Sequence, residues 1–250
     1  MSACARLRAT ARGLGERSAR NLPAARRLRF LLAIDALERY ADHRPLRVLD
    51  AGCGEGLLAE ALARRHPDWQ IVAADLDDVQ LNQGRERVAE TGVHNVRFDR
   101  VDVTEDLGDR AYDAVLAIEC LEEIPDDEAA LACMARALRP DGLFLAHVPE
   151  RDWTPVLPGS ERTWRHEVRH GYGADDLASK LSRAGLSPTV VRPSTRAVVR
   201  LAQEIRDRIK DRGRTLQLVA YPLSLAAVRL ERWGLVWGRA RALFVEARPR

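Results

Sequence analysis

The run Val48-Leu49-Asp50-Ala51-Gly52-Cys53-Gly54-Glu55-Gly56 carries an apolar stretch into three glycines at alternate positions, with an acid ahead of them. Glycine belongs where a ligand must come close to backbone or where φ turns positive. A second acid, Asp75, lies nineteen residues after Gly56 at the end of the next apolar run. An acid in that place can take both hydroxyls of a ribose. Two ligands compete for such a loop. A nicotinamide dinucleotide wants GxGxxG, whose third glycine lets a helix N-terminus meet the pyrophosphate. Here the spacing is GxGxG, and Asp50 would repel a phosphate, so the residues describe a site for a nucleoside that carries positive charge.

The elements that must hold these residues follow from the apolar pattern. From residue 45 onward it alternates between short continuous runs and 3.6-residue periodicity, as a parallel sheet covered by helices requires. Strands are expected at Leu46–Ala51, Gln70–Asp75, Val96–Val101, Ala111–Ile118, Leu143–Val148, Thr189–Val191 and Ala242–Ala247. Helices are expected at Leu57–Arg65, Asp78–Thr91, Asp126–Leu138 and Ala174–Ala184, with Arg139-Pro140-Asp141-Gly142 as a turn. The fold class is therefore α/β, a Rossmann-like seven-stranded, mostly parallel sheet with helices on both faces. Residues 1–44 form a basic helical arm ahead of the domain 45–250. Within that domain, residues 149–173 make a substrate-side loop. Residues 196–238 insert two helices before the last strand: one amphipathic and basic, one apolar from Leu216 to Trp233. The insert is expected to act as a lid, with a dimer contact or a face for an anionic membrane surface as rivals.

The stretch Asp50-Ala51-Gly52-Cys53-Gly54-Glu55-Gly56 resembles the first motif of the class I S-adenosylmethionine-dependent methyltransferases. The likeness continues through residues 73–77, Asp102 and the Pro140-Asp141-Gly142 turn, and covers about residues 46–149. The resemblance implies S-adenosyl-L-methionine as the cofactor. Gly52, Gly54 and Gly56, with Ala51 ahead of them and Cys53 between the first two, would pass beneath the methionine moiety, and Asp50 would lie near its ammonium. Asp75 would hold the ribose and Leu76 would pack on adenine. Asp102 would accept from the adenine amine, Val103 would cover the ring, and Glu119 is counted among the cofactor-binding residues.

Transfer from a sulfonium needs alignment before it needs a base. For a base, three residues come forward. The segment Glu119-Cys120-Leu121-Glu122-Glu123 resembles a family stretch that often has His where this chain has Glu123. His166-Glu167-Val168-Arg169-His170 is similar to a stretch near the acceptor in small-molecule methyltransferases, so His166, His170 and Glu123 are the candidates, with His166 leading. Glu119, Glu122 and Glu123 could hold a divalent cation, but clustered acids before a helix read more simply as solvated first-turn charges, and no metal is expected. The function expected is methyl transfer to a small, hydrophobic metabolite, most simply at oxygen. The alternative is a protein of this fold that binds the cofactor without methylating, as a partner subunit or a rearrangement catalyst.

Composition narrows the partners. With 250 residues and 46% apolar content the chain can bury a real core. Forty basic residues against thirty-seven acidic ones leave +3, too little for a dedicated nucleic-acid binder. The surplus is local, because residues 1–30 hold eight arginines and one acid. Cys4, Cys53, Cys120 and Cys133 form neither a CxxC pair nor a zinc-like spacing, which fits a reducing, cytoplasmic setting. The longest apolar stretch, Leu216 to Val228, is shorter than the roughly twenty residues that span a bilayer. Contact with a membrane would be peripheral, through the basic amphipathic helices, and the oligomeric state is left open.

Overall fold

The computed structural model describes residues 22–105, 107–160, 168–209, 214–236 and 238–250. Seven strands follow in chain order: β1 Arg47–Ala51, β2 Gln70–Asp75, β3 Val96–Arg100, β4 Tyr112–Ile118, β5 Leu138–Pro149, β6 Leu186–Ser194 and β7 Ala242–Pro249. The helices are α1 Ala24–Ala41, α2 Leu57–Arg65, α3 Asp78–Thr91, α4 Asp127–Ala137, α5 Ala174–Arg183, α6 Ala197–Ile209 and α7 Arg214–Arg232. The strands make one sheet in the order β3-β2-β1-β4-β5-β7-β6. Only β7 runs antiparallel to its neighbours. The expected α/β class, with a mostly parallel seven-stranded sheet and helices on both faces, is what the chain adopts.

The order explains where a ligand can sit. After β1 the chain winds outward through β2 and β3, then returns to β4 and winds the other way, so β1 and β4 are neighbours whose connections depart in opposite directions. A crevice opens at their carboxyl ends. The strands beside it are buried on both faces, β4 over residues 112–117 without a break, which accounts for their continuous apolar runs. Successive residues feed opposite layers: Val48, Ile71 and Leu116 join the layer under α1, α2 and α3, while Leu49, Val72 and Val115 join the layer under α4 and α5.

Three strands exceed their expected lengths, β7 by two residues at its end. β5 starts at Leu138 because Tyr112 pairs with Leu138 and Ala114 with Leu143, so the turn at residues 139–142 is a bulge within a continuing strand. β6 extends over Leu186–Ser194 because β7 pairs with it along that whole length. Pro188 and Pro193 masked it in the sequence, yet β6 is an edge strand, where a missing N–H costs no ladder bond.

Of the basic arm, residues 1–21 lie outside the described residues. The part described, α1, is built into the core, with Leu28, Ala33 and Leu37 fully buried. The insert's helices α6 and α7 pack on α1, and Arg232 of α7 pairs with Asp35 of α1 at 2.5 Å. No helix among the described residues is long and apolar enough to cross a membrane.

Gly84 offers a test of this packing. It sits inside α3, where Ala would ordinarily stabilise by about 1 kcal/mol. A Cβ there would lie 2.5 Å from the Phe98 ring and 2.7 Å from the Glu55 carbonyl oxygen. Gly84→Ala should therefore destabilise the protein by about 1–3 kcal/mol in chemical denaturation. A gain in stability would show that α3 does not seat against the glycine loop as described.

Candidate functional site

The crevice holds a cavity of about 620 Å³, a size that suits a nucleoside-sized ligand. β1 delivers Asp50 to its floor and the glycine loop to its wall. The loop is tightly held, since the Gly52 and Cys53 amides both donate to the Ala74 carbonyl at 2.8 and 3.0 Å. Gly52 has φ 67°, and a Cβ there would meet the Cys120 Cβ at 2.4 Å, so only glycine passes between β1 and the segment after β4.

Nine of the expected site residues converge on this cavity: Asp50, Gly52, Cys53, Gly54, Asp75, Leu76, Val103, Glu119 and Glu123. Asp75, closing β2, accepts the Gly54 amide at 2.7 Å and the Asp77 amide at 3.0 Å, which fixes its carboxylate against the loop. Leu76 stands 53% exposed at the rim, an apolar face waiting for a flat partner. Ala51 is buried beneath the loop, and Gly56 caps α2 against Phe98. Asp102 stays outside the cavity lining: Thr104 donates to it from its amide and hydroxyl at 2.9 and 2.7 Å, which holds its carboxyl below the usual range.

The acids after β4 depart from the expectation of solvated charges. Glu123 is exposed, but Glu119 is partly buried and Glu122 is buried. Glu119 takes φ 57° at the strand end, which turns its carboxylate inward. Burial would push it up, but Arg29 and His147 outweigh burial and hold it at about 2. Arg29 Nη1 donates to one oxygen at 2.7 Å, and His147 Nδ1 contacts the other at 2.6 Å. Burial lowers His147, so the ring is neutral; facing a carboxylate, Nδ1 must donate, and Nε2 then accepts from the Ser194 hydroxyl at 2.8 Å. Glu122, 4% exposed, has an Oε2 with no partner among the described residues. Burial and the neighbouring Glu119 raise it well above the usual carboxyl range. Glu119 is thus committed to Arg29 and His147, and no three His, Cys, Asp or Glu among the described residues are arranged to hold a metal.

Of the proposed bases, His166 lies outside the described residues. His170 is exposed and lines neither this cavity nor a second one of about 390 Å³ beside it. Sequence reasoning did not single out Arg26, Arg29 or His147, and weighed Glu122 only as one of three acids that could hold a cation or stand as a solvated charge. The available signal was a histidine inside the apolar run of β5, and a Glu119 that had to end a buried strand.

The chain has clear relatives. Residues 48–142 match a family model described as a methyltransferase domain. A ubiquinone biosynthesis O-methyltransferase of Neisseria meningitidis serogroup C is 34% identical over 115 residues, or 45% of this chain and 48% of the relative. The chain therefore spans about half the length of that curated relative. Among solved structures, the cyclase SpnF superposes with a TM-score of 0.60 at 23% identity, over 87% of this chain and 82% of its own. Coclaurine N-methyltransferase, bound to N-methylheliamine and S-adenosylhomocysteine, gives 0.62 at 16% identity, over 88% and 70%. At those identities the structures speak for the fold.

Asp50 supplies the prediction. Burial first, and Asp75 second, raise its carboxyl from 3.8 to about 7, against a hydrogen bond from the Ala59 amide. Because the folded-state value is the raised one, the stability gained by holding the proton is full below about pH 4 and lost as pH rises through 7. Asn cannot ionise and still accepts the amide hydrogen. Relative to the native protein, Asp50→Asn should gain about 2–3 kcal/mol of unfolding free energy between pH 5 and pH 8. Parallel stability curves for the two proteins would mean that Asp50 is not desolvated.

Proposed function

We infer that this chain, which carries a class I S-adenosylmethionine-dependent methyltransferase domain, moves the methyl group of S-adenosylmethionine to an oxygen of a small molecule. One observation carries the cofactor reading: the larger cavity is lined by six carboxylates, those of Asp50, Glu55, Asp75, Glu119, Glu122 and Glu123, against the guanidiniums of Arg26 and Arg29. Such a wall rejects a pyrophosphate and answers a ligand bearing ammonium and sulfonium charges. The ligand also repairs local deficits. Asp50 is buried with its carboxyl raised to about 7, and Glu122 Oε2 lacks a partner among the described residues; a cation beside either favours its ionised form.

In this reading Asp75 holds the ribose hydroxyls, Leu76 and Val103 sandwich the adenine, and Asp50 meets the ammonium. Arg29, whose Nε has no partner among the described residues, is placed to take the cofactor's carboxylate. The cofactor supplies an activated methyl group, so the chain's main task is alignment. Oxygen as the acceptor atom follows the O-methyltransferase name of the curated relative. The smaller cavity, walled by Glu204 and Asp207 of α6, suits a small acceptor, and the insert thereby takes part in the site as its lid. Its lining is largely polar, so the apolar part of the acceptor is assigned to Phe30, Ile118 and Ile124 of the larger cavity.

As the acceptor oxygen bonds to carbon and the carbon–sulfur bond breaks, the oxygen's proton must leave. Glu122 is the group proposed to take it. It lines the cavity, burial and Glu119 raise its carboxyl well above the usual range, and a nearby cation draws it into the ionised form.

Methyl-labelled S-adenosylmethionine tests the proposal with catechol and 3,4-dihydroxybenzoate as acceptors. Label should move to a phenolic oxygen, and Glu122→Gln should slow transfer by about a hundredfold with little change in cofactor affinity. A loss under about fivefold would give the proton to water. Tight cofactor binding with no label transferred to any acceptor would favour binding without methylation.

A further inference from the structure

Two cavities meet at Arg26 and Arg29, which line both. The larger one is the proposed cofactor site, and the inference below rests on that reading. The smaller one is lined by four arginines, Arg26, Arg29, Arg208 and Arg241, and by two acids, Glu204 and Asp207. With Glu119 set against Arg29, one positive charge is left over in the smaller cavity.

The arginines are not equivalent. Arg29 is tied to Glu119, Arg208 donates to the Pro158 carbonyl and to Ser160, and Arg241 lies 4.4 Å over the Trp153 ring. Arg26, half-buried on the first turn of α1, has no hydrogen bond or ion pair among the described residues. The acids nearby are engaged elsewhere: Glu204 accepts the Val156 and Leu157 amides, and Asp207 accepts from Gln203. Glu55 and Glu119 attract Arg26 only from a distance, and a partly shielded guanidinium with no carboxylate in hydrogen-bond contact is costly, a cost that an arriving anion recovers. Its flat fork of donors matches a carboxylate.

We propose that Arg26 is the specificity residue of the acceptor site and that the acceptor carries a carboxylate, which Arg26 binds at the junction of the two cavities. One surplus charge calls for a singly charged group, and the two acids on the cavity wall disfavour a phosphate dianion.

The test uses the full chain saturated with S-adenosylhomocysteine and three probes: benzoate, its neutral isostere benzamide, and phenyl phosphate. Benzoate should bind at least tenfold more tightly than benzamide, and Arg26→Gln should abolish that preference, while Arg26→Lys keeps part of it. Affinity for S-adenosylhomocysteine is measured first in each protein, so a failed cofactor reading is seen separately from a failed acceptor reading. Equal binding of benzoate and benzamide, an undiminished preference in Arg26→Gln, or tighter binding of phenyl phosphate would each overturn the proposal. So would a variant that loses S-adenosylhomocysteine affinity while keeping the benzoate preference, because Arg26 would then belong to the cofactor.

Discussion

A carboxylate largely shielded from water at the end of a central strand must be paired or it will take up a proton, and Glu119 is paired from two sides. Arg29 reaches it from α1, and His147 reaches it from β5 while accepting from Ser194 of β6. One ion pair and two hydrogen bonds thereby tie the first described helix to the carboxyl ends of β4, β5 and β6. That tie places Arg26 and Arg29 over the crevice, joins the two cavities beneath them, and holds the Glu119 carboxyl low beside a Glu122 whose carboxyl is raised. The left-handed backbone at Glu119 is the local strain that makes this arrangement possible.

The rest of the crevice is unfavourable by itself. Asp50 and Glu122 sit where water is excluded, and neither has a cation of its own among the hydrogen bonds and ion pairs described. A fold that keeps such groups gives up stability that Asn or Gln would return, and function is the usual reason. A ligand with separated positive charges recovers that loss on binding, which links the composition of the cavity wall to the choice of cofactor. The glycine loop adds shape to charge, since Cys120 and Phe98 leave no room for side chains at Gly52 and Gly56.

Local rules were enough for much of this. β2, α2 and α3 fall at their expected limits, because strand runs, helical periodicity and caps such as Asp77, which accepts the Val79 and Gln80 amides, are local properties. The glycine loop and Asp75 were legible for the same reason. Arg29, Glu122 and His147 were not, because burial of a polar group is decided by what packs over it. Arg29 looked like one charge in a basic arm, and Glu122 like one acid in a solvated first turn. The length of β6 was hidden by its two prolines, which only an edge position tolerates.

The central claim is that a wall of desolvated acids selects a cationic nucleoside, and calorimetry at pH 7 in two buffers of different ionisation enthalpy tests it most directly. S-adenosylmethionine should bind with release of at least about half a proton per site, as Asp50, with its carboxyl at about 7, is driven fully ionised and Glu122, raised above the usual carboxyl range, is drawn the same way. NAD should not bind. Proton uptake, no proton exchange, or tight NAD binding without a response to S-adenosylmethionine would contradict the account.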